Sequence, residues 1–420
     1  MSNKKKILFI ILVVLSVIVI GIMCTKIYFL ILKNNDNSNR HNESEKSSFT
    51  YSLIKESNSI IGKENYMISP YSIEVALSML REGASKNTLD ELNSVVPERK
   101  IKDLSIKDRV NIANGVFIKN QYKKSVLESY KDKLKNDYDS EFIYDDFYSP
   151  DKINDWVKDK TNGMIPKTLD SISKDYVMGL ANAIGADLLW DDSFKCETTS
   201  KRKFNSNGKE IDVFMMNKTF ESGVAFYQDD DFDSVIIPYK KYNVYTGKEV
   251  KDDKDEGEQL EFIGILPNNI DQFIDKFDED TLEKINKNKE YASDNQNVYV
   301  ELPRFSFDYD FKKFQKILNN LGLNDMFKKE SADFSNMINV GVYVSKSVHK
   351  THIEVDEKGT KAAAITYFGM DKNSVSFTDT FNIIFNKPFV FLIKDTSSNE
   401  ILFFGVVYNP TKWNDNDKKC

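Results

Sequence analysis

The sequence predicts an α+β fold, and three observations lead to that class. Helix signals are concentrated in the first half of the chain, β-like apolar runs dominate the second half, and the chain ends in a hairpin pattern. Because helices and strands are segregated along the chain and do not alternate, α+β is favoured over a doubly wound parallel sheet.

The composition argues against several classes of function. The 420 residues carry 58 basic and 65 acidic side chains, and this net charge of −7 argues against a general nucleic-acid binder. The 40% share of hydrophobic residues is typical of a globular chain. Cys24, Cys196 and Cys420 form no disulfide framework and match no zinc spacing, and three histidines leave few candidates for a base. These counts set metal and disulfide scaffolds aside and leave the chain poorly equipped for hydrolysis. We expect no metal, no cofactor and no enzymatic activity.

The N-terminal segment predicts a membrane anchor. Residues 7–24 carry no charge and reach about 27 Å as a helix, close to the thickness of a bilayer. Lysines in residues 1–6 place the start in the cytoplasm and the rest of the chain outside. A cleaved signal, which would give a secreted protein, is the alternative, although no alanine precedes Ala76 to form the usual cleavage pattern. The remaining parts are a juxtamembrane stretch and polar linker at 25–47, a folded body at 48–413 and a polar tail at 414–420.

Amphipathic patterns predict three helices. The first follows Ser69, which is expected to cap it, and ends at Gly83, which is expected to adopt a left-handed conformation. The other two are predicted over 151–163 and 311–322, each closed by a glycine.

Apolar runs predict the strands. They cover residues 234–239, 260–267, 298–307 and 340–345. Residues 382–393 and 401–408 flank a polar turn, a pattern that is typical of an antiparallel hairpin.

The segment 357–380 fits neither a solvent loop nor a core strand. A segment can enter an existing sheet only if alternate side chains fit the closed interior and each residue keeps an N–H for the ladder. Four uncharged residues meet that requirement on one face: Thr360, Ala362, Ala364 and Thr366. Lys361 falls on the opposite, outward face. The segment is therefore a candidate inserting strand, with a Gly/Ala-rich connector as the alternative.

Several separated motifs carry a family resemblance. They are NYMISPYSIEVALSMLREGASKNTLDEL (65–92), INDWVKDKTNGMIP (153–166), LANAIGADLLW (180–190), VELPRFSFDYDF (300–311), LNNLGLNDMF (318–327), VYVSKSVHKTHIEVDEKGTKAAAIT (342–366), FNKPFVFLIKD (385–395) and FFGVVYNPT (403–411). Over about residues 53–411 the chain resembles the serpin family, with the motifs in the family's order. The resemblance implies three β-sheets, eight to nine helices and an exposed reactive-centre loop, here preceded by one N-terminal transmembrane helix.

The resemblance also implies a function. Serpins of the inhibitory type act as suicide substrates: the target serine protease is acylated at the loop, and the loop then inserts into the large sheet and traps the protease. The expected partners are that protease, with a cysteine protease as the alternative, and the membrane; we expect a monomer and no nucleic acid. A non-inhibitory serpin with a binding or chaperone role is the alternative function. A membrane-anchored hydrolase is disfavoured because no G-x-S-x-G motif is present.

The loop residues are assigned by the same resemblance. The hinge residues that match it are Glu357, Gly359, Thr360, Ala362, Ala363, Ala364 and Thr366, while Lys361 and Ile365 depart from the pattern. Family spacing, counted from Glu357, places the reactive bond between Asn373 and Ser374. Because the stretch that follows is longer than is usual in the family, three alternatives stay open: Lys372 for a trypsin-like target, and Met370 or Phe368 for elastase-like or chymotrypsin-like targets.

A polar cluster is implied beneath the centre of the large sheet. The matching residues are Ser69, Ser72, Asn182 and His349, while Trp190 matches a tryptophan at the top of the sheet where the loop enters. Hydrogen bonds there can hold the strands closed and reform after insertion. The alternatives are a catalytic base at His349 and an ordinary core aromatic at Trp190. The lysines of 119–135 are interspersed with acids, which favours a solvated face over a polyanion-cofactor site.

Overall fold

The computed structural model describes residues 48–98, 103–251, 256–360 and 379–414. Eight α-helices lie in these ranges, which confirms the expected eight to nine. They are α1 (48–61), α2 (Pro70–Gly83), α3 (Lys86–Val95), α4 (Glu128–Tyr138), α5 (Asp151–Lys160), α6 (Ile270–Lys276), α7 (Glu279–Asn288) and α8 (Phe314–Asn320).

None of the helices in the described ranges is both long and apolar enough to cross a bilayer. The predicted anchor, residues 7–24, lies outside the described residues.

Eighteen strands are described, and together with the helices they confirm the α+β class. They are β1 (Tyr66–Ile68), β2 (Val110–Lys119), β3 (Ser140–Asp145), β4 (Met178–Ala186), β5 (Leu188–Leu189), β6 (Ser200–Ser206), β7 (Lys209–Phe220), β8 (Ala225–Gln228), β9 (Phe232–Pro238), β10 (Leu260–Pro267), β11 (Glu290–Tyr291), β12 (Gln296–Pro303), β13 (Phe305–Asp310), β14 (Lys350–Val355), β15 (Gly359–Thr360), β16 (Asp379–Ile384), β17 (Phe389–Asp395) and β18 (Ile401–Val407).

The described strands form four sheets, one more than the resemblance implied. A seven-stranded sheet has the order β1-β18-β17-β10-β9-β8-β11, and a four-stranded sheet has the order β16-β12-β7-β6. The other two sheets, β3-β2-β4 and β13-β14-β15-β5, are halves of one large sheet, because β4 and β5 are separated only by Asp187 and form one continuous strand. The extra sheet therefore reflects a division of the large sheet between β4 and β14.

The helix α2 packs between the large sheet and the seven-stranded sheet. Its apolar face packs against β4 and against β18, so that the helix lies between the large sheet and the seven-stranded sheet. The side chain of Ser69 accepts a hydrogen bond from the backbone N–H of Ser72, which confirms the predicted cap. The predicted left-handed end at Gly83 was wrong, because the helix is capped by Ala84 in an extended conformation. Gly83 is instead required by packing, since a Cβ there would lie 2.6 Å from the Cβ of Met337.

Several strand boundaries differ from the sequence prediction. Residues 340–345 form no strand, because on this stretch the large sheet is parted and no strand among the described residues pairs with them. The run 298–307 is divided at Arg304 between β12 and β13, which belong to different sheets. The run 382–393 is likewise divided: β16 pairs with β12, and only β17 forms the predicted hairpin with β18.

Candidate functional site: the hinge and the divided sheet

The strand β15 is a short wedge at one end of the divided sheet. Thr360 pairs with Val355 of β14 on one side and with Leu188 of β5 on the other, and both pairings are antiparallel. Gly359 pairs with Leu189, so closely that a Cβ on Gly359 would lie 1.9 Å from the carbonyl oxygen of Leu188. Two residues of an additional strand therefore already lie between β5 and β14, and the first of them must be glycine.

A buried ion pair fixes the residue at which this wedge begins. The carboxylate of Glu357 accepts hydrogen bonds from Nε of Arg304 at 2.9 Å and from Nη2 at 2.7 Å. The hydroxyl of Thr199 donates to the same carboxylate oxygen. The side chains of Arg304 and Glu357 are 15% and 7% exposed, so this contact is shielded from water and from salt. Glu357 is thus held in place before the chain turns into β15.

Trp190 and Tyr239 line the inner side of the wedge. The indole Nε1 of Trp190 donates to the carbonyl of Asp356, and its backbone N–H donates to the carbonyl of Lys358, both at 2.9 Å. The rings of Trp190 and Tyr239 are stacked with centroids 4.6 Å apart. The hydroxyls of Tyr239 and Thr360 are 2.5 Å apart. Burial raises the pKa of Tyr239 well above its usual value, so that its hydroxyl stays protonated and available for this hydrogen bond.

Beyond the wedge, β4 and β14 are separated by a cavity. Since β15 is antiparallel to both β5 and β14, the two flanking strands run parallel to each other, and the described residues form no ladder between them. The cavity has a volume of about 630 Å³ and is lined by residues of β4, β14 and α2, by the loop after α5 and by residues 342–348. Its two edges, β4 and β14, suit one further strand that is antiparallel to both neighbours.

The predicted polar cluster joins the two edges of this cavity to α2. The backbone N–H of Ser69 donates to Nε2 of His349 at 3.1 Å, next to the start of β14. The hydroxyl of Ser72 donates to Oδ1 of Asn182 on β4. The Nδ2 of Asn182 then donates to Oδ1 of Asn114 on β2 at 2.8 Å. The start of α2 is therefore hydrogen bonded to β4 through Ser72 and to His349, the residue before β14, through Ser69.

His349 is neutral in this setting. Burial lowers the pKa of its imidazole from about 6.5 to about 4. Because Nε2 accepts the Ser69 hydrogen bond, the proton of the neutral ring lies on Nδ1. The ring packs near Phe311 and Phe314, with centroids 6.4 and 5.6 Å away. No nucleophile is among these contacts, so the geometry favours a hydrogen-bond acceptor over the alternative of a catalytic base.

Some of the predicted site residues lie close together in the structure, and others fall outside the described residues. Glu357, Gly359, Thr360 and Trp190 meet at the wedge, and Ser69, Ser72, Asn182 and His349 meet at the cavity. The remaining predicted positions lie outside the described residues: Ala362, Ala363, Ala364, Thr366, Phe368, Met370, Lys372, Asn373 and Ser374.

Sequence reasoning missed other residues of the site. Arg304, Thr199 and Tyr239 contact the hinge from 53, 158 and 121 positions away along the chain, and no local pattern marks them. Cys196 is disulfide-bonded, which the cysteine count had not led us to expect; the other two cysteines of the chain, Cys24 and Cys420, lie outside the described residues. Within the described ranges, no group of three or more His, Cys, Asp or Glu side chains is placed to hold a metal ion.

Comparison with known proteins identifies the family. The model of the family described as Serpin (serine protease inhibitor) matches residues 44–410. The chain belongs to the serpin family. The leukocyte elastase inhibitor of Xenopus tropicalis is 29% identical over 392 residues, which cover 86% of this chain and 97% of that protein. A serpin-like protein of Methanosarcina mazei is 30% identical over 383 residues, which cover 84% and 83% of the two chains.

Solved structures agree with this assignment. The native state of the thermophilic serpin tengpin superposes with a TM-score of 0.72 at 27% identity, covering 87% of this chain and 94% of that one. Uncleaved ovalbumin, at 22% identity and a TM-score of 0.70, shares the fold. Membership of this family and the similarity to an elastase inhibitor support protease inhibition as the general function.

We predict that His349 makes stability depend on pH in a defined window. Since its pKa is lower in the folded protein, the unfolded chain binds the proton first as the pH falls. The stability linked to His349 is therefore fully present above about pH 6.5 and decreases towards pH 4, by about 3 kcal/mol. Unfolding curves in urea between pH 7 and 4 should show a smaller loss for His349→Gln.

The matched control is His352→Gln, which leaves His349 in place and should keep the part of the pH dependence that is due to it. If wild type and His349→Gln lost the same stability across this window, the assignment of a neutral, buried His349 would be wrong.

Proposed function

We propose that this chain is a suicide-substrate inhibitor of a serine protease. The observation that carries the proposal is the wedge: Gly359 and Thr360 lie between β5 and β14 as the first two residues of an additional strand, next to a cavity whose edges β4 and β14 pair with no further strand in the described part of the chain. A cut in the following segment would free it to continue into the cavity. Membership of a family of protease inhibitors supports the same function.

The register of the wedge supports complete insertion. If the pairing of Thr360 with Leu188 and Val355 is continued, Asn373 comes to lie opposite Asp175, just before β4, and opposite Val342 on the other side. Residues 342–348 line the cavity and are not in a strand, so they are available for this new ladder. The 14 residues from Thr360 to Asn373 would span about 46 Å.

The side chains that would enter are compatible with a closed interior. Thr360 points to the buried hydroxyl of Tyr239, which identifies its face as the inner one. Ala362, Ala364 and Thr366 follow on that face, and all are small and uncharged. The opposite face carries Lys361 and Ile365, which can remain in contact with solvent.

The catalytic groups of the protease carry out the covalent step of trapping. Its serine oxygen attacks the carbonyl carbon of the reactive-bond residue, the peptide bond breaks, and the new amine at Ser374 takes up a proton. The acyl ester then joins the protease to Asn373, or to the alternatives Lys372, Met370 or Phe368. Insertion carries this ester along the sheet before water can hydrolyse it, and the protease is distorted at the far end. A cysteine protease would form the corresponding thioester.

We also propose that the inhibitor acts outside the cytoplasm, held by residues 7–24 or secreted after their removal. The uncharged length of that segment and the lysines before it support this location. The disulfide at Cys196 is a second support, because disulfides persist in oxidising compartments.

Incubation of the full chain with trypsin-like, chymotrypsin-like and elastase-like proteases tests the proposal. We expect one class to form a complex that survives SDS, because the ester is covalent. N-terminal sequencing of the released C-terminal fragment should then place the cut between Phe368 and Ser374. Cleavage by every protease without a stable complex would favour the alternative, a non-inhibitory serpin, and a productive cut outside this window would reject the assigned bond.

A pair of loop variants separates insertion from simple cleavage. Ala364→Arg should be cut at the wild-type rate but should form little complex, because insertion would bury a guanidinium without a partner, at a cost of several kcal/mol. Ile365→Arg, one residue further on and on the outward face, should still form the complex. Gel densitometry of complex against cleaved chain provides the measurement, and equal trapping by both variants would contradict the inserted register.

A further inference from the structure

The connection between β9 and β10 is long for two strands that pair with each other in an antiparallel ladder. It comprises residues 239–259, whereas hairpin connections usually have about two to five residues. Long connections in a compact domain are commonly functional. We call the first part of this connection, residues 239–250, the strap; all of it lies within the described residues. Its contacts show that the extra length is used at the large sheet.

The strap is the outer neighbour of β5. The backbone N–H of Lys240 donates to the carbonyl of Leu189 at 2.9 Å, and the backbone N–H of Leu189 donates to the hydroxyl of Tyr242 at 3.4 Å. Leu189 thus directs both of its backbone groups to the strap. The backbone N–H of Trp190 points the other way and donates to the carbonyl of Lys358, on the side of the wedge. The strand β5 and the residue after it therefore lie between the wedge and the strap.

The far end of the strap is fastened beside the segment that leads into β2. The backbone N–H of Lys107 donates to the carbonyl of Val244 at 3.0 Å. Gly247 has a φ of +65°, and a Cβ there would lie 2.1 Å from the carbonyl oxygen of Lys107. Only glycine permits this close approach. The strap therefore runs from β9 of the seven-stranded sheet, past β5, to the start of β2 in the large sheet.

Tyr242 and Arg109 fix the middle of the strap. Tyr242 is buried, and the guanidinium carbon of Arg109 lies 5.0 Å from the centroid of its ring. Nη1 of Arg109 lies 3.9 Å from the carboxylate of Asp187, and the carbonyl of Arg109 accepts the backbone N–H of Asp187 at 2.7 Å. Asp187 is the residue between β4 and β5. These contacts join the strap to the continuous strand that borders both the wedge and the cavity.

A segment that enters the sheet after Thr360 must pair first with this strand. If the register of the wedge is continued, Lys361 comes to lie opposite Asp187. A strand edge that is already held in place lowers the entropy lost in the first pairings, because fewer groups have to be ordered at that moment. A loose edge would slow the entry of the segment and leave more time for water to hydrolyse the acyl ester.

We propose that the strap holds β5 in position for the entering segment, with Tyr242 and Gly247 as its positioning residues. The strap joins the large sheet to the seven-stranded sheet at the end where the segment enters, so its release should also free β5 from the wedge. The effect of the strap on protease trapping rests on the proposed function, whereas its hold on β5 does not.

Hydrogen exchange resolved to single amides tests the hold on β5 without a protease. Gly247→Ala should push the strap away from Lys107, and the amides of Leu189 and Trp190 should then exchange about tenfold faster than in wild type, as expected for the loss of one hydrogen bond. The matched control is Gly62→Ala, at a glycine with a φ of +81° and no atom within 4 Å of an added Cβ. It introduces similar backbone strain and should leave both amides as in wild type.

The amide of Trp190 decides this test, because it faces the wedge and not the strap. If Gly247→Ala left its exchange unchanged, whether or not Leu189 exchanged faster, the strap would stabilise only its own contacts and the proposal would be overturned.

Tyr242→Phe tests the same point with a smaller change, and decides it if Gly247→Ala does not fold. The variant keeps the ring on Arg109 and removes only the hydroxyl that accepts the N–H of Leu189. The amides of Leu189 and Trp190 should exchange about threefold faster than in wild type. Wild-type exchange at Trp190 would contradict the role of Tyr242.

Protease assays then connect the strap to trapping. Gly247→Ala should need several-fold more inhibitor per trapped protease than wild type or Gly62→Ala, while the rate of the first cut stays the same, because the strap acts after acylation. An unchanged stoichiometry would overturn its role in trapping. If wild type trapped no protease at all, the proposed function would fail, while hydrogen exchange would still decide whether the strap holds β5.

Discussion

The buried contact between Glu357 and Arg304 is the interaction on which the rest of the site depends. Burying two charges costs desolvation energy, so such a pair adds little stability by comparison with an apolar pair of similar shape, yet removal of one partner is costly. In this protein the ion pair acts by fixing the position of the hinge. It fixes the last residue before the chain turns into β15, and Gly359 and Thr360 can therefore begin a new strand in one register only.

The open part of the large sheet follows from that anchor. With the hinge held at one end, Gly359 and Thr360 lie between β5 and β14, and among the described residues no strand pairs with β4 and β14 beyond them. The cluster around Ser69 and His349 compensates in part, because it joins β4 and His349, the residue before β14, to the start of α2. Among the described residues, the facing edges of β4 and β14 thus make no ladder hydrogen bonds with each other. Hydrogen bonds and apolar contacts formed there by an entering strand would lower the free energy of the folded protein.

The sequence predicted the local structure of those elements whose conformation depends on residues that are close together in the chain. Ser69 caps α2 and residues 260–267 form β10 because capping chemistry and apolar pattern act within a few residues. Residues 340–345 have an equally good strand pattern, but no strand among the described residues pairs with them, so the lack of a pairing partner outweighed the local preference. The polar cluster could be predicted from the family resemblance. The roles of Arg304 and Tyr239 and the disulfide of Cys196 could not, because they depend on contacts with distant parts of the chain and no local sequence pattern marks them.

Thermal unfolding before and after a single cut in the loop tests the central claim most directly. A protease that is not trapped can be used to cut the full chain between residues 368 and 374, and circular dichroism then compares the cut and intact forms. If the freed segment enters the sheet, the new ladder should raise the unfolding temperature by at least about 20 °C, since each added hydrogen bond contributes about 1 kcal/mol. An unfolding temperature within a few degrees of that of the intact protein, with residues 361–373 still open to further proteolysis, would contradict it.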